Sequence, residues 1–413
     1  MCAPMKQRPL ARRILKGFAA LAMLFALGLG ASWGSLWLER RTELTLPPPT
    51  GPFTVGRVIY DWKDEGKLDA FAPVPGTGRE LLVWIWYPSG AVQSVAKEDY
   101  LPAQMRAAAG SAGGPLRFLT RDLSKVHAHS TANPEVSSQQ RSYPVVIMRA
   151  GASAEVWKYS TLAEDLASHG YVVVGFDAPY RTNVVVFPDG RVMRRIWENN
   201  PEHCEVQEQA QQASCVSKLL TGWTADIAFV LDRLEQLNAS DSSGKFTGRL
   251  NMTRVGVFGH SFGGATAAQF CHDDSRCKAG IDVDGQPFGS VVREGLHLPF
   301  MFLLSEEIHS SDAGTREILV NIQSIYDRLP LDGRLRITIR GANHFLFSDD
   351  AVVKSHIVLR TLRMLGLVGI DGRRQLAITT YCVHSFFDAY LKGTNVSRLD
   401  TFSPLYPEIQ VLD

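Results

Sequence analysis

The chain has 413 residues, 45% hydrophobic and 21% charged, which allows a globular enzyme built as one enlarged domain or two small ones. Its formal net charge of +1 is unevenly placed: residues 1–41 hold seven basic side chains against Glu39 alone, and that +6 leaves the remainder at −5. No basic stripe remains to hold nucleic acid, and no internal repeat or long low-complexity tract is present.

The first predicted element is an apolar stretch over residues 17–38, which carries no charge. Twenty-two helical residues reach about 33 Å, enough to cross a bilayer core. Lys6, Arg8, Arg12, Arg13 and Lys16 precede it, so its N-terminus stays in the cytoplasm and the rest of the chain is exported. Small residues at Gly30-Ala31-Ser32 offer a cleavage site, so an anchor and a removed signal peptide both fit, with the anchor favoured. Residues 42–413 are expected to form one folded domain beyond this stretch. Export suits the cysteines that follow. Cys271 and Cys277 bracket a short polar loop and are favoured as a disulfide. Cys204 and Cys215 can pair only if the chain between them is not one continuous helix, because eleven helical residues span about 16 Å.

Pro47-Pro48-Pro49-Thr50-Gly51-Pro52 reads as a stiff linker, and the run Leu81–Tyr87 as a strand stopped by Pro88. Residues 91–142 have little periodicity and read as an insertion or surface loop. From Tyr143 onward strands and helices alternate. Strands are predicted at 145–148, 171–176, 255–258, 279–283, 300–304 and 335–339, with helices at 161–168, 205–237, 264–270, 318–326 and, capped by Asp350, 351–365. The strand at 171–176 is a continuous apolar run, as parallel sheets require, and the repeated alternation of strand and helix makes the expected fold α/β with a mainly parallel sheet and helices on both faces. Two short apolar segments flank Pro188-Asp189-Gly190, a hairpin-like excursion over about 180–201 that leaves a strand's carboxyl end.

Gly259-His260-Ser261-Phe262-Gly263 lies between the strand 255–258 and a run of small residues that starts a helix. Strand, glycine-lined turn and helix are the context in which G-x-S-x-G works as a nucleophile elbow. A serine hydroxyl needs a base, and the base an orienting acid, in the chain order Ser, acid, His. His344 follows the strand 335–339 by a loop long enough to return over the elbow. His309 and His356 compete less well, one in a polar loop and one inside a predicted helix. For the acid, residue pattern alone divides between Asp284, at the end of one strand, and Glu306, which with Glu307 follows the next. Asp282, one pleat lower, reads as structural.

The stretch from Tyr143 to His344 resembles the plasma-type platelet-activating-factor acetylhydrolases, a lipase-like branch of the α/β-hydrolases. The resemblance rests on Tyr143-Pro144-Val145-Val146, Asp165-Leu166-Ala167-Ser168-His169-Gly170-Tyr171, the elbow through Thr266, Gly280-Ile281 with Asp284, and Thr338-Ile339-Arg340-Gly341 ahead of His344. It implies an α/β-hydrolase fold, a triad of Ser261, Asp284 and His344, and calcium-independent removal of short or oxidised acyl chains from phospholipids. One departure is visible. The family's His-Gly pair after the strand 145–148 is replaced by Arg149-Ala150-Gly151-Ala152-Ser153, which leaves the backbone N–H groups of Ala152 and Phe262 as oxyanion donors by position.

The expected activity is therefore serine ester hydrolysis on a small-molecule or lipid ester, with no metal or organic cofactor. A peptidase on the same triad and a catalytically dead binding protein are the alternatives. Trp84 and Trp86 read as core, whereas Trp157 and Phe187 are expected to shorten an acyl cleft.

Overall fold

The computed structural model describes residues 8–90, 97–112, 118–306, 313–394 and 404–412. His309 and Glu307 lie outside the described residues, as do parts of the stretch 91–142. The described strands are β1 (Leu44–Thr45), β2 (Thr54–Leu68), β3 (Gly78–Ser89), β4 (Lys97–Asp99), β5 (Val126–Ala132), β6 (Tyr143–Arg149) and β7 (Val172–Asp177). They continue with β8 (Val184–Val186), β9 (Val192–Arg194), β10 (Leu250–His260), β11 (Cys277–Val283), β12 (Phe300–Ser305), β13 (Arg334–Ile339) and β14 (Ile409–Val411).

One sheet runs in the order β1-β5-β2-β3-β7-β6-β10-β11-β12-β13-β14, with β4 added beside β5. β7, β6, β10, β11, β12 and β13 are parallel, while β3 and β14 pair antiparallel at the two ends of that block. Side chains alternate between faces, which splits the core in two. Trp84, Trp86, Val146, Met148, Val173 and Ile281 face the helices Ser160–Ser168 and Gly372–Lys392. Val83, Ile85, Val145, Ile147, Val257 and Phe302 face the helices Gln209–Ala239, Phe262–Asp273 and Ala313–Tyr326. The chain passes from β6 to β7 on one side and later to β10 on the other. The crevice at the carboxyl ends of β6 and β10 is the switch point where such sheets bind ligands.

The stretch expected as an insertion contributes β5, which pairs with β1, β2 and β4 inside the main sheet. Its bonds to buried Glu164, whose carboxylate accepts the N–H groups of His129 and Ser130 at 2.8–3.0 Å, tie that edge to the helix Ser160–Ser168. The long helix expected over 205–237 is broken: Pro201–Glu205 stops and Gln209–Ala239 starts afresh behind Glu208. That break lets Cys204 pair with Cys215 at a Cα separation of 5.5 Å, while Cys271 pairs with Cys277 at 5.1 Å. Cys382 is buried and free. The helix expected over 351–365 is also two pieces, Asp350–Val353 and His356–Met364, because Ser355 caps the second by accepting from the Val358 N–H. Asp350 is thus the first helical residue rather than the cap.

Candidate active site

β10 delivers Ser261 at the start of the helix Phe262–Asp273 with φ 58° and ψ −127°, a conformation that costs a non-glycine residue about 1–3 kcal/mol. The turn holds it there. The Ser261 N–H donates to the Val283 carbonyl at 2.8 Å, and its own carbonyl accepts from Gly264 at 2.8 Å and Ala265 at 3.2 Å. A Cβ on Gly259 would strike the Gly263 carbonyl, and one on Gly263 would strike the Ala150 carbonyl, so a side chain at either position would force strand and helix apart.

The loop after β13 brings His344 over this turn. Asp284 follows β11 with φ 57°, is buried, and accepts the Ser305 N–H on Oδ1 at 2.6 Å. Its Oδ2 lies 2.7 Å from His344 Nδ1. A carboxylate only accepts, so Nδ1 carries the proton and Nε2 is bare, 3.2 Å from the Ser261 hydroxyl. Glu306, the other candidate acid, accepts the Gly341 N–H at 2.7 Å and so braces the loop rather than the imidazole. Asp282 is fully buried and accepts the Gly285 N–H at 2.8 Å. Burial and the neighbouring Asp284 push its carboxyl well above the usual range, which fits a neutral structural acid. His356 sits at the start of its helix, where its N–H is taken by Glu39 at 2.6 Å.

The N–H groups of Ala152 and Phe262 find no hydrogen-bond acceptor among the described residues, and both residues line the cleft in front of Ser261. The cleft has a volume of about 1170 Å³. Val216, Leu220, Phe262, Phe288 and Ile318 form its apolar part, and Lys158, Glu202, Glu205, Arg293 and Glu317 its charged part. Trp157 and Phe187 are not among the lining residues. Trp157 packs edge-on against Tyr100 with ring centroids 5.3 Å apart, and Phe187 is fully buried under Arg191. Phe262 and Phe288, 6.3 Å apart, line the cleft together with Tyr159 and Phe345, and Trp223 packs edge-on against Phe262 at 4.9 Å.

Sequence reasoning passed over His260. Its ring lies 4.7 Å from that of His344, and burial together with the His344 charge lowers its pKa to about 3, so it is neutral. As the variable residue of the G-x-S-x-G motif it carries no spacing signal. A separate cluster, Asp165 with His169 and His384, is the one group of metal-type ligands among the described residues. It lies away from the cleft, and its atoms already bond one another and Thr50.

The family profile described as platelet-activating factor acetylhydrolase, isoform II, matches residues 39–401. The chain belongs to this family. Among its relatives is "Probable 1-alkyl-2-acetylglycerophosphocholine esterase" of Arthroderma benhamiae, 25% identical over 90% of this chain and 95% of that protein. The platelet-activating factor acetylhydrolase of Cavia porcellus is 23% identical over 86% of this chain and 82% of its own length. The solved structure of a ferulic acid esterase from Streptomyces cinnamoneus superposes with a TM-score of 0.73 at 25% identity, covering 90% of this chain and all of that one. This member of the acetylhydrolase family thus has the α/β-hydrolase fold and is a serine ester hydrolase.

Proposed function

We propose that Ser261 is the nucleophile, His344 the general base and Asp284 the residue that orients it, in an enzyme that removes short acyl chains from lipid esters. The observation that carries this reading is the line from Asp284 through His344 to Ser261, at 2.7 Å and 3.2 Å. In the reaction His344 takes the Ser261 proton as the oxygen attacks the ester carbonyl, then returns it to the leaving alcohol. The N–H groups of Ala152 and Phe262 hold the tetrahedral oxyanion, and water releases the acyl group by the same route reversed. No step draws on a metal or an organic cofactor.

The relatives' names point to acetyl groups at the second position of a glycerophosphocholine. A lining that mixes Phe262, Phe288 and Leu220 with charged side chains suits a short acyl chain joined to a polar alcohol. The helix Arg8–Arg41 contains a span, Lys16–Arg41, long and apolar enough to cross a membrane, and its last turn is docked on the domain. There Glu39 accepts from Ser355 and His356 at 2.5–2.6 Å and faces Arg121 at 3.5 Å. This supports an anchor that keeps the exported domain at a lipid surface. The test is Ser261→Ala assayed on p-nitrophenyl butyrate: loss of turnover in a folded protein supports the reading, and near-normal turnover ends it.

A further inference from the structure

The imidazole of His344 serves Ser261 and Asp284, but the peptide behind it has a partner of its own. His260 Nε2 lies 2.9 Å from the His344 carbonyl. A carbonyl only accepts, so Nε2 carries the proton of neutral His260 and Nδ1 is bare. Nδ1 then accepts the Tyr159 hydroxyl at 2.8 Å, and the Tyr159 oxygen in turn takes the Gly151 N–H, a long contact at 3.4 Å. All the bonds point one way: Gly151 to Tyr159, Tyr159 to His260, His260 to the backbone of His344. The chain starts in the loop that carries Ala152 and ends on the residue that carries the base.

The path is largely buried, though Gly151, Tyr159 and His260 form part of the cleft wall. Tyr159 is 2% exposed and His260 8%. Space is tight as well: a Cβ on Gly151 would lie 3.2 Å from Ser261 Cβ and 3.3 Å from His260 Nδ1, so a side chain there would push its neighbours back by a few tenths of an ångström. Each group in the chain meets its need once. Removing one leaves a buried donor or acceptor unpaired, and the loop it held is free to shift.

We propose that His260 and Tyr159 are positioning residues that hold the His344 peptide and the Gly151–Ala152 loop in one register, so that general base and oxyanion donor meet Ser261 together. The proposal rests on the triad reading above and adds two side chains that line the cleft beside Ser261 without bonding to its hydroxyl or to the imidazole of His344. Neutrality of His260 matters to it. A cation 4.7 Å from the His344 ring would oppose the imidazolium that forms during the reaction, and burial prevents this. A shift of about 1 Å in the base costs about a hundredfold in rate, so the effect belongs in kcat and not in KM.

The experiment compares Ser261→Ala, His260→Phe, His260→Gln, Tyr159→Phe and the Tyr159→Phe/His260→Phe double variant. Each is assayed for kcat and KM on p-nitrophenyl butyrate, with thermal unfolding followed alongside. Gln offers an N–H to the His344 carbonyl and an oxygen to the Tyr159 hydroxyl, whereas Phe fills the space and offers neither. Expected are a loss of ten- to a hundredfold in kcat for His260→Phe at unchanged KM, recovery of most of that loss in His260→Gln, and a smaller loss in Tyr159→Phe that adds nothing in the double variant. The proposal is overturned by a kcat within twofold of wild type in His260→Phe, by equal losses in Phe and Gln variants, or by additive losses in the double variant. Should His260→Phe not fold, the decision passes to His260→Gln and Tyr159→Phe: a wild-type kcat in Tyr159→Phe overturns it, and so does a Gln variant as impaired as Ser261→Ala. Activity retained in Ser261→Ala would instead refute the triad, a different failure.

Discussion

The carboxyl edge of β10 to β13 and the far edge built by β1, β2, β4 and β5 belong to one sheet, yet they are held by different means. At the first, conformation comes from sterics: positive φ at Ser261 and Asp284, and glycines packed against carbonyls. At the second it comes from buried charged side chains that take up backbone groups, such as Glu164 at the N–H groups of β5 and Arg57 at the carbonyls of Asp99 and Tyr100. The catalytic edge is specific in residue and spends stability on geometry. The far edge contributes no residue to the cleft. Substitutions at the two edges should therefore separate turnover from folding.

The largest effect is expected at Ser261. Ser261→Ala should lower kcat by about three orders of magnitude or more with thermal stability nearly unchanged, because it removes the proposed nucleophile and keeps the Cβ and the turn. Wild-type rates should persist in excess EDTA under the same assay. Next is the choice of acid. Asp284→Asn should lose about two to four orders of magnitude in kcat, and Glu306→Gln less than about fivefold, since only the first carboxylate meets the imidazole. The reverse ranking would move the acid to the strand after. At the far edge, Glu164→Ala should lower unfolding free energy by about 2–3 kcal/mol in urea titration and leave kcat per folded molecule within twofold. A large loss of kcat there would erase the distinction between the edges.

Smaller effects sharpen the catalytic side. Each methylene a cleft accepts is worth about 0.8 kcal/mol, so kcat/KM should rise through short acyl esters and fall once Phe262 and Phe288 block the chain. Acetyl to hexanoyl p-nitrophenyl esters should exceed palmitoyl, and Phe288→Ala should move the optimum to longer chains. A palmitoyl preference below the aggregation limit would contradict the short cleft. The last concerns pH. His260 has its pKa lowered from 6.5 to about 3, so the unfolded chain binds a proton that the folded one refuses, and its share of stability is lost as pH falls through that window. His260→Gln should therefore lose less melting temperature than wild type between pH 7 and pH 4. Equal losses would mean that the imidazole is not held neutral.

The difference between the edges also explains what could be read from residues alone. Ser261, Asp284 and His344 follow strand ends beside glycines, and those signals are local. Residue pattern left Asp284 and Glu306 level, because the two carboxylates differ only in which loop atom they meet. β5, Val-His-Ala-His-Ser-Thr-Ala, carries polar residues on a strand whose place is set by non-local partners, β1, β2, β4 and Glu164, so it read as loop. The helix Gly372–Lys392 buries Gln375, Thr379 and Thr380, which weakens its apolar stripe. Trp157 and Phe187 leave strand ends on the active side but turn into the core, a choice made by Tyr100 and by the hairpin that buries Phe187. His260 was hidden for a different reason: its role depends on a carbonyl 84 residues away.

The most direct test of the account is where a fluorophosphonate attaches. The reagent phosphonylates only a serine activated by a base, and peptide mapping of the labelled protein reads the position. The account predicts one label per chain, on the peptide holding Ser261, slowed strongly in His344→Ala and in Asp284→Asn. A folded, ester-cleaving protein that takes no label, or takes it on another residue, would contradict it.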